Sequence, residues 1–463
     1  MKTQTGLPLK YTRFKISHKT WKGDLCMSNG KNNDKPLSDS TPGVVSWPAS
    51  INESGMYGLA GEFVTLVSGH TEADPNALLI TFLAYAGNAI GRNYFATTGA
   101  DVHCGNIFCC LVGHTGSGRK GSAMATVDAF FQRGDKPPQL GHILRGVSSG
   151  EGVIWEIRDP VYKWNIKSNK NELIDEGIPD KRLLISLSEF QQCLAVMRRQ
   201  DSILPTVLRQ AWDKDEISAP AKNSPARATG AHVSVVAGTS KEELLTQCEA
   251  ADAESGTLNR FAFVCSRRSK LLPQGGHFIR LTKSDRWKDL QQRFNQYTAH
   301  IESQPILVER DTEAMEHWGL NDAPDRGMYR ALSETRTGLW GSVTARAAQQ
   351  VIRFSLITAI INGSRQIRRE HQDCAFEVWR YCDDSSRHIF GDRLDDPTAS
   401  EIMRALRTVE STGLTRTQIH RIWASHKERV DIDRALLWLA QSGIARVEKT
   451  ETGGRPLETW YAV

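Results

Sequence analysis

No stretch of this chain stays apolar for the roughly 18 to 20 residues that a bilayer span requires. The best candidate, Leu78 to Ile90, is too short and is interrupted by Asn88. The N-terminus lacks the charged-then-apolar pattern and small-residue cleavage site of a secretory leader. Nine cysteines are scattered without any CxxC pair, and their number is odd. A disulfide scaffold or a zinc site is therefore not expected, and a reducing, cytoplasmic setting without membrane partners is. Charge of one sign is scarce as well. The net charge is +5, and residues 1–40, with eight Lys or Arg against three Asp, account for all of it. That polar, basic tail reads as unstructured, either inert or a nucleic-acid contact. Tandem repeats and low-complexity tracts are absent.

What is present fits two or three domains with a sizeable buried core: 463 residues, 40% of them hydrophobic. After the tail and linker (1–45), a helical segment (46–105) is expected. It includes a helix from Pro75 to about Ile90, N-capped by Asp74 with proline in the first turn. Residues 106–284 then alternate short apolar strands with helices. The strands are Asn106 to Val112, Leu183 to Leu187, His232 to Ala237 and Phe261 to Cys265. This pattern predicts an α/β domain with a mostly parallel sheet covered on both faces. Residues 285–397 read as helices only, among them one long helix from Val343 to Ile361. Residues 398–463 read as three helical segments and a hairpin turning at Thr452-Gly-Gly454, the order of a winged helix.

The segment Gly113-His-Thr115-Gly116-Ser-Gly118-Arg119-Lys120-Gly121-Ser122 lies between a buried strand and a helix. Glycines there let successive N–H groups face an anion, and the helix N-terminus adds positive potential. The usual phosphate-loop spacing, GxxxxGK[ST], is met by Gly113 and Gly118, but Arg119 stands in the lysine place. Lys120 is the stronger candidate for the β/γ-phosphates of ATP, with Arg119 the competitor, and Ser122 the candidate for Mg²⁺. Alternatively the segment is a glycine-rich turn without a ligand.

A hydrolytic site also needs a carboxylate at the end of a neighbouring strand. Glu189, after the run Leu183 to Leu187, can serve as base and reach Mg²⁺ through water, although Ser188 stands where a second acid would help. Alternatively Glu189 caps the next helix. Thr239 at the end of the third strand can sense the γ-phosphate, whereas Ser240-Lys-Glu-Glu243 fits a capping box. Arg260 can act as a finger on a neighbouring subunit's phosphate, or can be salt-bridged; Arg267, Arg268 and Lys270 form a rival basic patch. Ser148-Ser-Gly-Glu-Gly152 reads as a turn opening a helix, with a second polar loop near the phosphates as the alternative.

Together these segments resemble the RecA-like, helicase-type P-loop ATPases of plasmids, prophages and integrated elements, often found with primase-polymerase domains. The matching stretches include Gly113 to Ser122, Gly146 to Gly152, Leu184 to Phe190, Thr229 to Val235, Leu258 to Phe261 and Trp340 to Arg346. The Arg-Lys-Gly form of the loop is a mark of that group. The resemblance spans residues 55 to 463. It implies a RecA-like core with helical flanks, ATP and Mg²⁺, DNA as partner, a homo-oligomer such as a hexameric ring, and a primase or polymerase nearby.

At the C-terminus, Arg434 on the expected recognition helix and Arg446, Lys449 and Arg455 on the wing are the candidate DNA contacts. With ten Lys or Arg against eight acids over 401–463, a protein-docking use of the same domain stays open. Two functions follow: an ATP-driven DNA motor or remodeller in replication, or a non-hydrolysing DNA-binding initiator or regulator with a degenerate loop.

Overall fold

Strands buried on both faces are largely apolar, and four such runs meet in one sheet with a fifth, short and partly exposed strand at its edge. The structure, a computed structural model, describes residues 46–219, 226–248, 256–300, 304–336, 338–391, 397–422, 427–441, 444–451 and 456–463. The basic tail over 1–45, the turn expected at Thr452 to Gly454 and the candidate DNA contact Arg455 lie outside these residues. The strands are β1 (Phe108–Val112), β2 (His142–Leu144), β3 (Arg182–Leu187), β4 (His232–Thr239) and β5 (Phe261–Cys265). All pair in parallel, in the order β5-β1-β4-β3-β2. Four of the five were expected, and β2 is the addition.

Alternate side chains of each strand enter two separate cores. Cys109, Leu111, Leu184, Val236, Ala262 and Val264 join the first, built with α1 (Gly58–Ser68), α2 (Pro75–Ile90) and α3 (Lys120–Gln132). Helices 285–298, 347–361 and 369–390 complete that layer. Phe108, Cys110, Ile185, Val235 and Phe263 join the second core, with α4 (Gly150–Trp155), α5 (Phe190–Met197), α6 (Leu204–Asp213) and α7 (Lys241–Gln247). Each such aliphatic or aromatic side chain contributes roughly 1.5–3 kcal/mol on leaving water. The α2 helix starts as expected: the Asp74 carboxylate accepts from the Asn76 N–H at 2.9 Å, with Pro75 in the first turn.

Three expectations need correction. The flanking segments are not purely helical: strand 94–98 pairs antiparallel with 101–103 and parallel with 306–307, so the two flanks share a small sheet. The long helix from Val343 is broken at Ala345–Arg346 into helices 338–344 and 347–361. An unexpected antiparallel hairpin, 161–165 with 170–175, interrupts the chain between α4 and β3.

Residues 397–463 enclose a core of their own around Ile402, Leu406, Leu436 and Trp460. Helices 397–408, 416–421 and 429–441 pack with an antiparallel sheet in the order 414–415, 457–462, 445–450, the first strand lying between the first two helices in the chain. Among the described residues no helix is long and apolar enough to cross a membrane.

Candidate functional site

Parallel strands deliver every β-to-α connection to one edge of the sheet, and ligands of such sheets bind there, where the strand order reverses. The chain leaves β1 toward β2 on one side and reaches β5 on the other, so the reversal falls beside β1 and β4. Register aligns the ends: Val112 lies opposite Thr239 and Cys265, and Ala237 opposite Leu187. The loop 113–119, Gly238-Thr239 and Ser188-Glu189 therefore emerge together.

The loop is held in shape by its glycines. A Cβ on Gly113 would lie 2.1 Å from the Ser266 carbonyl oxygen, and one on Gly118 2.8 Å from that of His114. Gly116 is left-handed (φ 71°), and so is Arg119 (φ 50°), where α3 begins. Between them the Ser117 and Gly118 N–H groups turn inward to the Thr115 and His114 carbonyls at 2.8 and 2.9 Å. Ser266 Oγ donates to the Gly118 carbonyl at 2.7 Å and the Gly113 N–H donates to the Thr239 carbonyl at 3.2 Å, tying the loop to β5 and β4. The crown, His114 to Ser117, is exposed, as is Gly121. A Cβ on Gly121 would meet nothing, and its N–H belongs to the first turn of α3, where it has no partner within the helix.

The two basic residues part company. Lys120 folds over the loop and donates to the Gly113 carbonyl at 2.6 Å and the His114 carbonyl at 3.4 Å. Burial pulls its ammonium below the usual lysine range, against the pull of the Glu243 carboxylate. A Cβ on Gly238 would lie 3.7 Å from Lys120 Cβ and 3.3 Å from the Ser188 carbonyl oxygen, so the end of β4 packs between Lys120 and the end of β3. Arg119 turns away to Glu72, 2.5 Å distant, which Arg268 also approaches at 3.4 Å. The Leu272 N–H, donating to Glu72 at 2.8 Å, holds that carboxyl below its usual range, helped by Arg119.

Sequence reasoning missed Glu72. Its signal was that Glu72 and Asp74 are the only acids between Phe63 and Ala100. Both receive the chain that leaves β5: the Ser269 N–H donates to the Glu72 carbonyl at 3.0 Å, and the Arg267 N–H to Asp74 Oδ2 at 3.2 Å. The basic patch Arg267 and Arg268 thus sits beside the loop.

Glu189 occupies the position before α5 but makes no capping bond; its Oε2 accepts from the Gln192 side chain at 2.7 Å, and it is exposed. Ser122 lies in the first turn of α3, half-buried. Thr239 is buried, its Oγ1 3.4 Å from Glu243 Oε2. The capping box at Ser240 and Glu243 is present, as is the Ser149 cap that opens α4.

Arg260 is brought nowhere near these groups. It precedes Phe261, which pairs with Phe108 at the start of β1, so it lies at the opposite edge of the sheet. Only 5% of its side chain is exposed, and it is ion-paired to Asp213, which Arg346 also meets at 3.2 Å. Arg434, Arg446 and Lys449 lie within 397–463, each with an acidic partner: Asp431 at 3.0 Å, Glu448, and Glu458 at 3.5 Å.

Comparison with protein-family models gives no match, and comparison with curated proteins gives none.

Proposed function

We propose that this chain is an ATP-hydrolysing motor or remodeller of DNA, of helicase type, serving replication of a mobile element. In this reading residues 106–284 are a RecA-like P-loop core and 397–463 a winged helix. The observation that carries it is the placement of Lys120 across the loop after β1 and against the end of β4, which in turn meets the end of β3. The residues fit the implied group. The first turn of α3 offers N–H donors, while Ser117 and Gly118 spend theirs on the Thr115 and His114 carbonyls, and Lys120 neutralises charge that N–H groups alone cannot. ATP bound there would present its γ-phosphate for transfer to water, with Mg²⁺ shared by Ser122 and, through water, by Glu189.

Glu189 is free of a capping role and solvent-accessible, as a base that takes a proton from attacking water must be. Thr239, joined through its carbonyl to Gly113, can report on loop occupancy. Three helices, a short strand after the first and a hairpin after the third, the strands forming one antiparallel sheet, support the winged-helix reading. The ring, the primase or polymerase partner and the cytoplasmic setting belong to the same proposal and rest on the resemblance. A non-hydrolysing initiator is favoured by two observations: Ser188 supplies no second acid, and Arg260 is engaged with Asp213.

The test is steady-state ATP hydrolysis with and without single-stranded DNA, for wild type and Glu189→Gln. The motor reading expects DNA stimulation and a variant that still binds ATP but hydrolyses it slower by orders of magnitude. Equal rates for the two proteins would discard it in favour of the initiator.

A further inference from the structure

The order of the strands decides which end of a nucleotide lies where. In the proposed site the γ-phosphate meets water beside Thr239 and Glu189, which end β4 and follow β3 on one side of β1. A nucleotide laid along the loop with that end there carries its base toward the other side of β1, where β5 ends. The chain leaving β5 is tied to the loop at once. The Ser266 N–H donates to the Val112 carbonyl at 2.8 Å, and Ser266 Oγ to the Gly118 carbonyl at 2.7 Å. Arg267 is the next residue, and its own N–H donates to Asp74 Oδ2 at 3.2 Å, so its backbone is fixed beside the loop.

Three arginines stand on this flank, and they are engaged differently. Arg119 and Arg268 both turn to Glu72. Arg267 is exposed and has no acidic partner within ion-pair distance among the described residues. Its guanidinium lies over the Trp47 ring instead, 5.2 Å from the centroid, inside the roughly 6 Å reach of a cation–π contact. Trp47 is itself held: it is partly buried against the second core, and its ring meets that of His388 edge-on at 5.3 Å. A guanidinium is planar and weakly hydrated, and it stacks on flat surfaces. Trp47 takes one of its faces, and a second flat partner can take the other.

We propose that Arg267, backed by Trp47, is the platform on which the base of the bound nucleotide stacks. This rests on the proposed function, in which the loop holds the phosphates of that nucleotide. A nucleobase is the flat, π-bearing surface that such a platform recognises, and it reaches this flank when the γ-phosphate lies at the other. A phosphate contact by Arg267 would need only its charge, which lysine keeps. A stack needs the plane, which lysine lacks.

The experiment is titration calorimetry of the full chain with Mg-ATP and, separately, with Mg-tripolyphosphate, which carries the phosphates without a base. Arg267→Ala and Arg267→Lys should each weaken Mg-ATP binding at least about fivefold. Both should leave tripolyphosphate affinity within about threefold of wild type, because one exposed charge is screened by salt. Trp47→Ala should likewise lower ATP affinity and spare tripolyphosphate. Circular dichroism is recorded for each, and the exposed Arg267 variants decide the matter should Trp47→Ala fail to fold. Wild-type ATP affinity in Arg267→Ala overturns the platform. So does rescue of ATP binding by Arg267→Lys, or an equal loss for ATP and tripolyphosphate, either of which makes Arg267 a phosphate contact. Those outcomes leave the nucleotide reading of the loop standing, whereas a wild type that binds neither ligand ends both.

Discussion

Arg119 and Lys120 are adjacent in the chain and engaged in opposite directions: Arg119 pairs with Glu72 at 2.5 Å, and Lys120 donates to the Gly113 carbonyl at 2.6 Å. The left-handed backbone of Arg119 produces this divergence, because it swings one side chain out of the loop as the helix carries the next one over it. Lys120→Ala should therefore weaken Mg-ATP binding at least about tenfold, as a hydrogen bond to a charged group contributes about 1.5–3 kcal/mol. Arg119→Ala should stay within about threefold. Titration calorimetry of both variants checks this, and the reverse ranking would give the phosphate role to Arg119.

Much of the sheet was legible because parallel strands buried on both faces are unbroken apolar runs, as in Phe261–Cys265. His142–Leu144 was missed, being three residues long and starting on an exposed histidine. The hairpin 161–175 was illegible for a different reason: its apolar residues face water, so they carry no burial pattern. Within the candidate site, the loop and Glu189 follow from strand-end chemistry. Glu72 and the placement of Arg260 do not, because pairing across 47 residues or more depends on tertiary contacts. Arg353 shows the same limit. It is fully buried in an apolar helix, its pKa pushed down to about 9 by burial, and its charge is met by the Asn106 and Trp212 carbonyls at 2.8 and 2.7 Å.

Arg260→Ala should act on stability. Removing the guanidinium leaves Asp213 with Arg346 alone, and breaking a pair with one buried member costs about 2–4 kcal/mol. Urea unfolding should show that loss. Mixing Arg260→Ala with Lys120→Ala subunits should restore no hydrolysis. Wild-type stability together with restored activity in the mixture would return Arg260 to the role of a finger.

His232 links stability to acid. It is buried, bonded to the Gly87 carbonyl at 2.9 Å, and burial pushes its pKa down to about 3. An unfolded histidine titrates near 6.5. Between those values the unfolded chain binds a proton that the folded chain excludes. The contribution is thus complete above about pH 6.5 and is lost as pH falls, by about 2 kcal/mol at pH 5. His232→Gln, which retains a donor for Gly87, should lose less stability between pH 7 and pH 5 by that amount. Parallel pH dependence of the two urea midpoints would refute this.

The C-terminal residues 397–463 should be separable from catalysis. Their core is their own, and no strand of the parallel sheet comes from them, so deleting them exposes no core strand. Basal ATP hydrolysis should persist in the truncated chain, while preference among duplex sequences is lost. Single substitutions should do less. Arg434, Arg446 and Lys449 are each balanced by Asp431, Glu448 and Glu458, so DNA must open an ion pair before gaining a phosphate contact. Each change to alanine should weaken duplex binding by only a few-fold. Filter binding across sequences and salt, with hydrolysis measured in parallel, decides the matter. A truncated chain that keeps its sequence preference would mean that this domain meets a protein and that DNA is read elsewhere.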